Sequence, residues 1–141
     1  MIAILNRLST ALIKFQDTKE GVWWQITDKA GKEKNYLEAS ASSMFVYALS
    51  KAVAKGYLNK TFLPAIHKAY KGLISNFVET DKEGNVHLMH AVSGAGLGGT
   101  PYRDGTYEYY VSEPQRNDDL KAIGPFMQAC IAYELLSKMN K

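Results

Sequence analysis

The sequence predicts an all-α domain of about four helices with short β-hairpins set between them. Three observations carry this. Apolar residues recur at spacings of three and four in four separate segments, three of these segments have a start or stop signal, and two Gly-containing turns are flanked by short aromatic or β-branched pieces.

The first helix starts near Ile4, with Leu5, Leu8, Leu12 and Phe15 on one face. Next, the segment "GVWWQITDKAGKEKNY" has extended pieces around a Gly-containing turn and predicts a hairpin. The second helix is the clearest. Ala41, Met44, Phe45, Ala48, Leu49, Ala52 and Val53 are periodic, the serine-rich "EASASS" opens the run, and Gly56 sits where a left-handed C-cap belongs. The third carries Leu63, Ile66, Tyr70, Leu73, Ile74 and Phe77, with Thr61 or Asn59 as cap and Pro64 in the first turn. A second hairpin is predicted in "FVETDKEGNVHLMHAVSG" around Lys82 to Asn85. The last helix runs from about Gly124 to Lys138, with Pro125 in its first turn and Phe126, Met127, Cys130, Tyr133 and Leu136 on or near one face.

No Pro-, Gly- or Ser-rich linker divides the 141 residues, so one domain, 1–141, is expected. A 46% hydrophobic fraction is enough for a core. The formal charge of +3 is dispersed over Lys51, Lys55, Lys68, Lys71 and others with acids interleaved, which is a solvated surface and not the basic block of a nucleic-acid binder. Cys130 is the single cysteine, so neither an internal disulfide nor a cysteine-based zinc site is available, and no cofactor is expected. No apolar run reaches membrane-spanning length and the start has no secretory pattern, so neither membrane partner nor compartment is indicated.

The stretch "SGAGLGGTPYRDGTYEYY", Ser93–Tyr110, is the unusual one. A phosphate loop needs Lys-Ser or Lys-Thr after its last glycine, or a helix opening directly from the turn; Thr100-Pro101 follows instead. A flexible linker would be polar, whereas this one runs into Tyr102, Tyr107, Tyr109 and Tyr110. Two readings stay open: a pocket-rim loop, and an exposed loop packing its own tyrosines. For a pocket, aromatic rings cover the C–H face of a sugar, carboxylates accept its hydroxyls, and arginine pairs with a sugar carboxylate. A uronic acid satisfies all three. Lys121, at the start of the last helix, is a second cation for such an anion, and Asp118 and Asp119 read as helix caps.

The blocks "NYLEASASSMFVYAL" and "PYRDGTYEYYVSEP", with "AYKGLISNFV" and "NDDLKAIGPFMQA" in order between and after them, closely resemble the C-terminal part of the unsaturated rhamnogalacturonyl hydrolases, glycoside hydrolase family 105. The related unsaturated glucuronyl hydrolases are more distant. The resemblance covers nearly the whole chain. It implies a partial (α/α)6 barrel whose end loops form a pocket for a 4,5-unsaturated galacturonyl group on an oligosaccharide. It also implies chemistry in which an aspartate protonates the double bond and directs water at the neighbouring carbon, unlike two-carboxylate glycosidases. The family's catalytic aspartate and its "RGNGW"-like motif lie upstream of the matched region, so the resemblance implies a chain with no catalytic residue of its own. Length agrees: twelve helices of ~11–12 residues with loops need well over 200 residues.

Under that reading Arg103 and Lys121 are candidates for the substrate carboxylate, Tyr102 and Tyr107 for stacking, and Glu38 or Asp104 for hydroxyls, with Trp24 also among the substrate-binding residues. His67 reads as a surface residue, and His87 and His90 as hairpin residues. Glu108 pairs with Glu38 only if the fold brings them together. Apolar faces that would close a barrel predict self-association. Two alternatives remain: an acidic-oligosaccharide-binding module using Trp23 or Trp24 with Tyr102, Arg103, Tyr107 and Lys121, and a helical self-association domain in which the Tyr-rich loop only packs.

Overall fold

A computed structural model describes residues 1–139. Helices α1 (Ile2–Lys14), α2 (Ala39–Ala54), α3 (Leu63–Phe77), α4 (Tyr107–Ser112) and α5 (Leu120–Met139) make up most of the fold. A 3-10 turn at Lys60–Phe62 leads into α3. Strands β1 (Val78–Thr80) and β2 (Val86–Leu88) form one antiparallel pair, and β3 (Ala91–Val92) and β4 (Gln115–Arg116) another. Among the described residues no helix is long and apolar enough to cross a membrane.

α2 is the central helix, packed against both α3 and α5. It starts at Ala39, within the serine-rich signal, and ends before Gly56, whose φ of 72° is the left-handed conformation expected there. Asn59 caps the next turn by accepting the Thr61 N–H at 2.9 Å, which decides between the two predicted caps. On α3 the buried residues are Ile66, Ala69, Gly72, Leu73 and Phe77. Gly72 has no room for a side chain, since a Cβ would lie 2.1 Å from the Glu20 carbonyl oxygen. The core joins these to Trp23, Val46, Leu49 and Leu136. Each large apolar side chain buried there contributes about 1.5–3 kcal/mol. Trp23 also donates its indole N–H to the Leu12 carbonyl at 2.7 Å and meets Phe45 edge-on, tying α1 to the core.

Several expectations are corrected. On α1 it is Leu5, Ser9 and Leu12 that turn inward, while Leu8 stays exposed. The "GVWWQITDKAGKEKNY" segment forms no hairpin. A single bridge, Trp24 to Leu37, closes it, and Asn35 bonds to Ile26 N–H, Ile26 C=O and Lys29 C=O in place of a ladder. The second hairpin forms with Val78 opposite Leu88 and Thr80 opposite Val86. α5 begins at Leu120, so Pro125 lies inside the helix. Asp119 supplies the start signal by accepting the Lys121 N–H at 2.9 Å, and Pro125 forgoes one helical hydrogen bond. The β3–β4 pair and α4 are additional elements, too short for periodicity to reveal.

Candidate functional site

β3 and β4 bring the two ends of the glycine–tyrosine segment together. Ala91 lies opposite Arg116 and Val92 opposite Gln115, and the Ser93 N–H donates to the Pro114 carbonyl at 2.8 Å. Residues 94–113 therefore leave and return at one point. That point is Val92. Its N–H donates to Glu38 Oε1 at 3.0 Å, and its carbonyl accepts from the Lys121 ammonium, so the α2 and α5 N-termini meet there.

Glu38 is 1% exposed and its carboxylate is fully engaged. Oε1 also accepts from the Ser40 N–H at 3.0 Å and the Ser40 hydroxyl at 2.7 Å, and Oε2 accepts from the Ala41 N–H at 2.7 Å. It caps α2 and anchors β3, which corrects its expected role as a hydroxyl-binding wall residue. Lys121 is also committed, to Val92 and to Asp119 at 3.3 Å, and does not reach out alone toward an anion.

Within the loop, Gly98 and Arg103 pair as an isolated antiparallel bridge around a cis Thr100-Pro101 peptide. Tyr102, at the tip, is 75% exposed. Arg103 donates its Nε–H back to the Gly98 carbonyl at 2.8 Å, and among the described residues no carboxylate pairs with it. Asp104 accepts the N–H and hydroxyl of Thr106, at 2.9 and 2.8 Å, which hold its carboxyl below the usual carboxylate range. Thr106 in turn caps α4 by accepting the Tyr109 N–H. Tyr107 donates to the Glu33 carbonyl at 2.7 Å and carries the Lys32 ammonium 3.5 Å above its ring centroid. A cleft of about 280 Å³ opens there, between Lys32–Lys34 and Tyr107, Glu108 and Val111 of α4. The loop is thus cross-linked within itself at Gly98 and Arg103, and tied to the rest of the chain through Tyr107 and its base.

The fold brings Arg103, Asp104 and Tyr107 into one loop, and Glu38 and Lys121 to its base. Trp24 stands apart. It is half-buried, with its indole N–H on Asp17 Oδ2 at 2.8 Å, and among the described residues no hydrogen bond or ring contact joins it to the loop.

Sequence reasoning missed other groups. Tyr109 accepts the Gly96 N–H at 3.1 Å and is bonded to Glu113 one turn on, which raises its phenol pKa. Tyr36 has a buried hydroxyl with no partner among the described residues; burial, with the Glu38 and Glu113 charges adding to it, pushes its pKa up to about 12. His87 lies between two acids, 2.7 Å from Asp118 Oδ2 and 3.2 Å from Asp81 Oδ2, and the two raise its pKa, Asp118 first. Asp118 also accepts the Leu88 N–H, so it pins β2 and is no helix cap; only Asp119 is. The Asp-x-x-Gly-Asn turn of "TDKEGNVH" was the one available local sign of Asp81's role, and Asp118 is distant in sequence. His67 is half-buried and 2.9 Å from the Tyr133 hydroxyl, which corrects its expected surface placement.

Asp17, Asp28, Asp81, Asp104, Asp118, Asp119 and Glu134 all have their carboxyl pKa lowered, toward the charged form. Such groups are hydrogen-bond acceptors and ion-pair partners, whereas a general acid at neutral pH needs the opposite displacement. Among the described residues no group of three His, Cys, Asp or Glu side chains is gathered to hold a metal ion.

The family model for Glycosyl Hydrolase Family 88 matches residues 1–137. Two curated proteins, Protein Atu3128 of Agrobacterium fabrum and the 24.9 kDa protein in the picA locus of Rhizobium radiobacter, are each 41% identical over 139 residues. Each match covers 94% of this chain and 59% of the relative. A family 105 glycoside hydrolase structure from C. acetobutylicum superposes with a TM-score of 0.92 at 46% identity, covering 95% of this chain and 37% of that one. A possible family 105 member from Salmonella enterica gives a TM-score of 0.74 at 26% identity, covering 97% of this chain and 32% of that one. The chain therefore spans under two thirds of the curated relatives and about a third of these solved chains.

Proposed function

This chain belongs to Glycosyl Hydrolase Family 88, and from that membership we propose that it is the C-terminal part of an (α/α)6-barrel hydrolase that removes 4,5-unsaturated galacturonyl groups from rhamnogalacturonan oligosaccharides. The reaction hydrates the double bond. A carboxyl group delivers a proton to carbon, water adds to the neighbouring carbon, and the resulting hemiketal opens to release the sugar. In this reading the proton-donating aspartate lies in the part of the barrel outside this chain, and the chain contributes a substrate-binding wall. Arg103 meets the substrate carboxylate, Tyr102 and Tyr107 cover the sugar faces, Asp104 accepts a hydroxyl, and Lys121 supports the loop base through Val92.

The observation that carries the proposal is the coverage: nearly all of this chain matches about a third of a family 105 structure at a TM-score of 0.92. The lowered carboxyl pKa values support it, because none of those acids is held protonated for transfer. The test follows loss of the ultraviolet absorbance of an unsaturated galacturonyl-rhamnose disaccharide. The chain alone is expected to give no turnover, and a protein that carries this segment and spans the full length of the family 105 structure to give turnover. Turnover by the chain alone would place the acid within these 141 residues and overturn the proposal.

A second reading, self-association, is favoured by one feature. Met127, Ile131, Leu135 and Met139 form an exposed stripe at four-residue spacing on α5. The stripe borders an open groove of about 660 Å³ shared with Tyr47 and Ala54 of α2. In this reading a second copy covers the face that the remaining barrel helices would otherwise cover. Sedimentation across a concentration series tests it, and a monomer at every concentration would remove it.

A further inference from the structure

Two glycines of the 94–105 loop, Gly96 and Gly99, make room for a guanidinium. A Cβ placed on Gly96 would lie 2.5 Å from Arg103 Nη1 and 2.8 Å from Cζ, and one on Gly99 would lie 3.1 Å from Nη2. The guanidinium therefore rests against both residues, and a side chain at either position would displace it. Its Nε–H is held by the Gly98 carbonyl at 2.8 Å. Gly96 is itself fixed, its N–H donating to the Tyr109 hydroxyl at 3.1 Å, and Tyr109 is bonded to Glu113. The seat is thus braced from the far side of the loop.

What remains is a charged edge with nothing on it. Among the described residues neither Nη atom of Arg103 has a hydrogen bond or an ion pair, although each carries two donors. Arg103 is exposed, and the exposed ring of Tyr102 is its chain neighbour. A guanidinium held in place gives up little rotamer freedom when an anion arrives, and its Nη pair matches the two oxygens of a carboxylate.

We propose that Gly96, Gly99 and Tyr109 are positioning residues that hold Arg103 as a fixed receptor for the carboxylate of a uronic acid. This rests on the reading of the loop as part of an acidic-sugar pocket. Gly96 is the cleanest probe: its φ lies outside the left-handed region, so alanine there meets the guanidinium and not a backbone restriction.

The experiment is a titration of the whole 141-residue chain with galacturonate, and separately with galactose, following the arginine side-chain N–H resonances of Arg103 against those of Arg7 and Arg116. Galacturonate is expected to shift the Arg103 signals saturably, and galactose to leave them in place. Gly96→Ala should weaken galacturonate binding about tenfold, the scale of one charge-assisted hydrogen bond. In an Arg103→Lys background the same change should add nothing, a non-additivity that general loosening of the loop would not produce. Tyr109→Phe, which keeps the ring, should weaken binding in the same direction and covers the case in which Gly96→Ala does not fold. Equal shifts with galactose, no Arg103 response to galacturonate, or equal losses in both backgrounds would overturn the proposal. Hydrolysis of the unsaturated disaccharide is read separately on the full-length protein, so an Arg103 response without hydrolysis rejects the hydrolase reading alone.

Discussion

Replacing Glu38 distinguishes a carboxylate spent on architecture from one offered to a ligand. Three backbone N–H groups, of Ser40, Ala41 and Val92, and the Ser40 hydroxyl all point at it. Glu38→Ala leaves the three N–H groups without an acceptor at a buried site. At about 1–3 kcal/mol per orphaned donor, toward the lower half where water can enter the vacated volume, the cost is about 3–5 kcal/mol. That is a large share of the ~5–15 kcal/mol that holds a domain folded. Glu38→Gln should be milder. Its carbonyl oxygen stays on the Oε1 side, where three donors converge, and its NH2 faces the Ala41 N–H, so one bond is lost and two donors oppose, for about 1–3 kcal/mol. Urea unfolding followed by circular dichroism measures both, at one protein concentration because any association adds to apparent stability. Exchange of the Val92 amide reports the local effect, and it should rise in both variants. Were Glu38→Ala to lie within about 0.5 kcal/mol of the parent, the range of ordinary surface changes, the cap-and-anchor account would be wrong. A Glu38→Gln protein of parental stability that no longer binds galacturonate would restore the ligand role.

Further outcomes are expected elsewhere in the molecule. His87, its pKa raised by Asp118 and then Asp81, contributes stability fully present below its ordinary value of about 6.5 and lost as pH rises through the raised value. The lowered pKa values of Asp118 and Asp81 act at the other end, contributing stability above about 3.9 that is lost as pH falls through their folded values, so Tm against pH should plateau between the two limits and His87→Gln should flatten the alkaline limb. Ile131→Glu, at the centre of the α5 stripe, should abolish concentration-dependent association in sedimentation, and should leave Tm unchanged at dilutions where the parent is monomeric, because the residue is 58% exposed; unchanged association would place the contact elsewhere. In a full-length hydrolase carrying this segment, Arg103→Ala should raise KM more than it lowers kcat, since it removes binding common to substrate and transition state, and equal loss in kcat and kcat/KM would give Arg103 a part in the chemistry.

The parts of the fold legible in the sequence are those where a local signal and long-range packing agree. α2 is one: its serine-rich start and Gly56 stop are written within a few residues, and both ends of the observed helix obey them. α5 shows the limit, because Pro125 is a valid first-turn signal that Asp119 overrides from six residues upstream. The first hairpin failed for a related reason. Asn35 satisfies Ile26 and Lys29 backbone groups with its side chain, so the segment needs no ladder, and nothing in its apolar pattern announces that. In the candidate site, the loop's glycines and aromatics identified the segment, but the partners of individual side chains did not follow. Glu38 looked available because Val92 lies 54 positions away in sequence, and the Asp118–His87 contact spans 31. Residue type points to a chemistry, and only the fold decides whether that capacity is already spent.

Val92 shows how support and recognition are joined in this chain. It has no functional side chain, yet its N–H fixes the Glu38 carboxylate, its carbonyl holds the Lys121 ammonium, and its pairing with Gln115 closes the base of residues 94–113. A loop of that length rich in glycine would lose conformational entropy on binding anything, unless the entropy had been removed beforehand. Here the base is clamped at β3–β4, Tyr107 is pinned to Glu33, Gly96 to Tyr109, and Arg103 to Gly98. The glycines therefore serve close approach and not mobility: where they lie against Arg103 they admit its guanidinium, and Tyr109 keeps the space in register. A rigid cationic edge beside an exposed tyrosine, on the loop whose base strand β3 also receives the α2 cap, is stable enough to recognise a ligand only while the buried Glu38 carboxylate keeps its contacts with Val92 and Ser40. Stability and recognition should consequently fall together when Glu38 is changed, whereas changes at Gly96 should reduce recognition and leave the urea midpoint nearly unmoved.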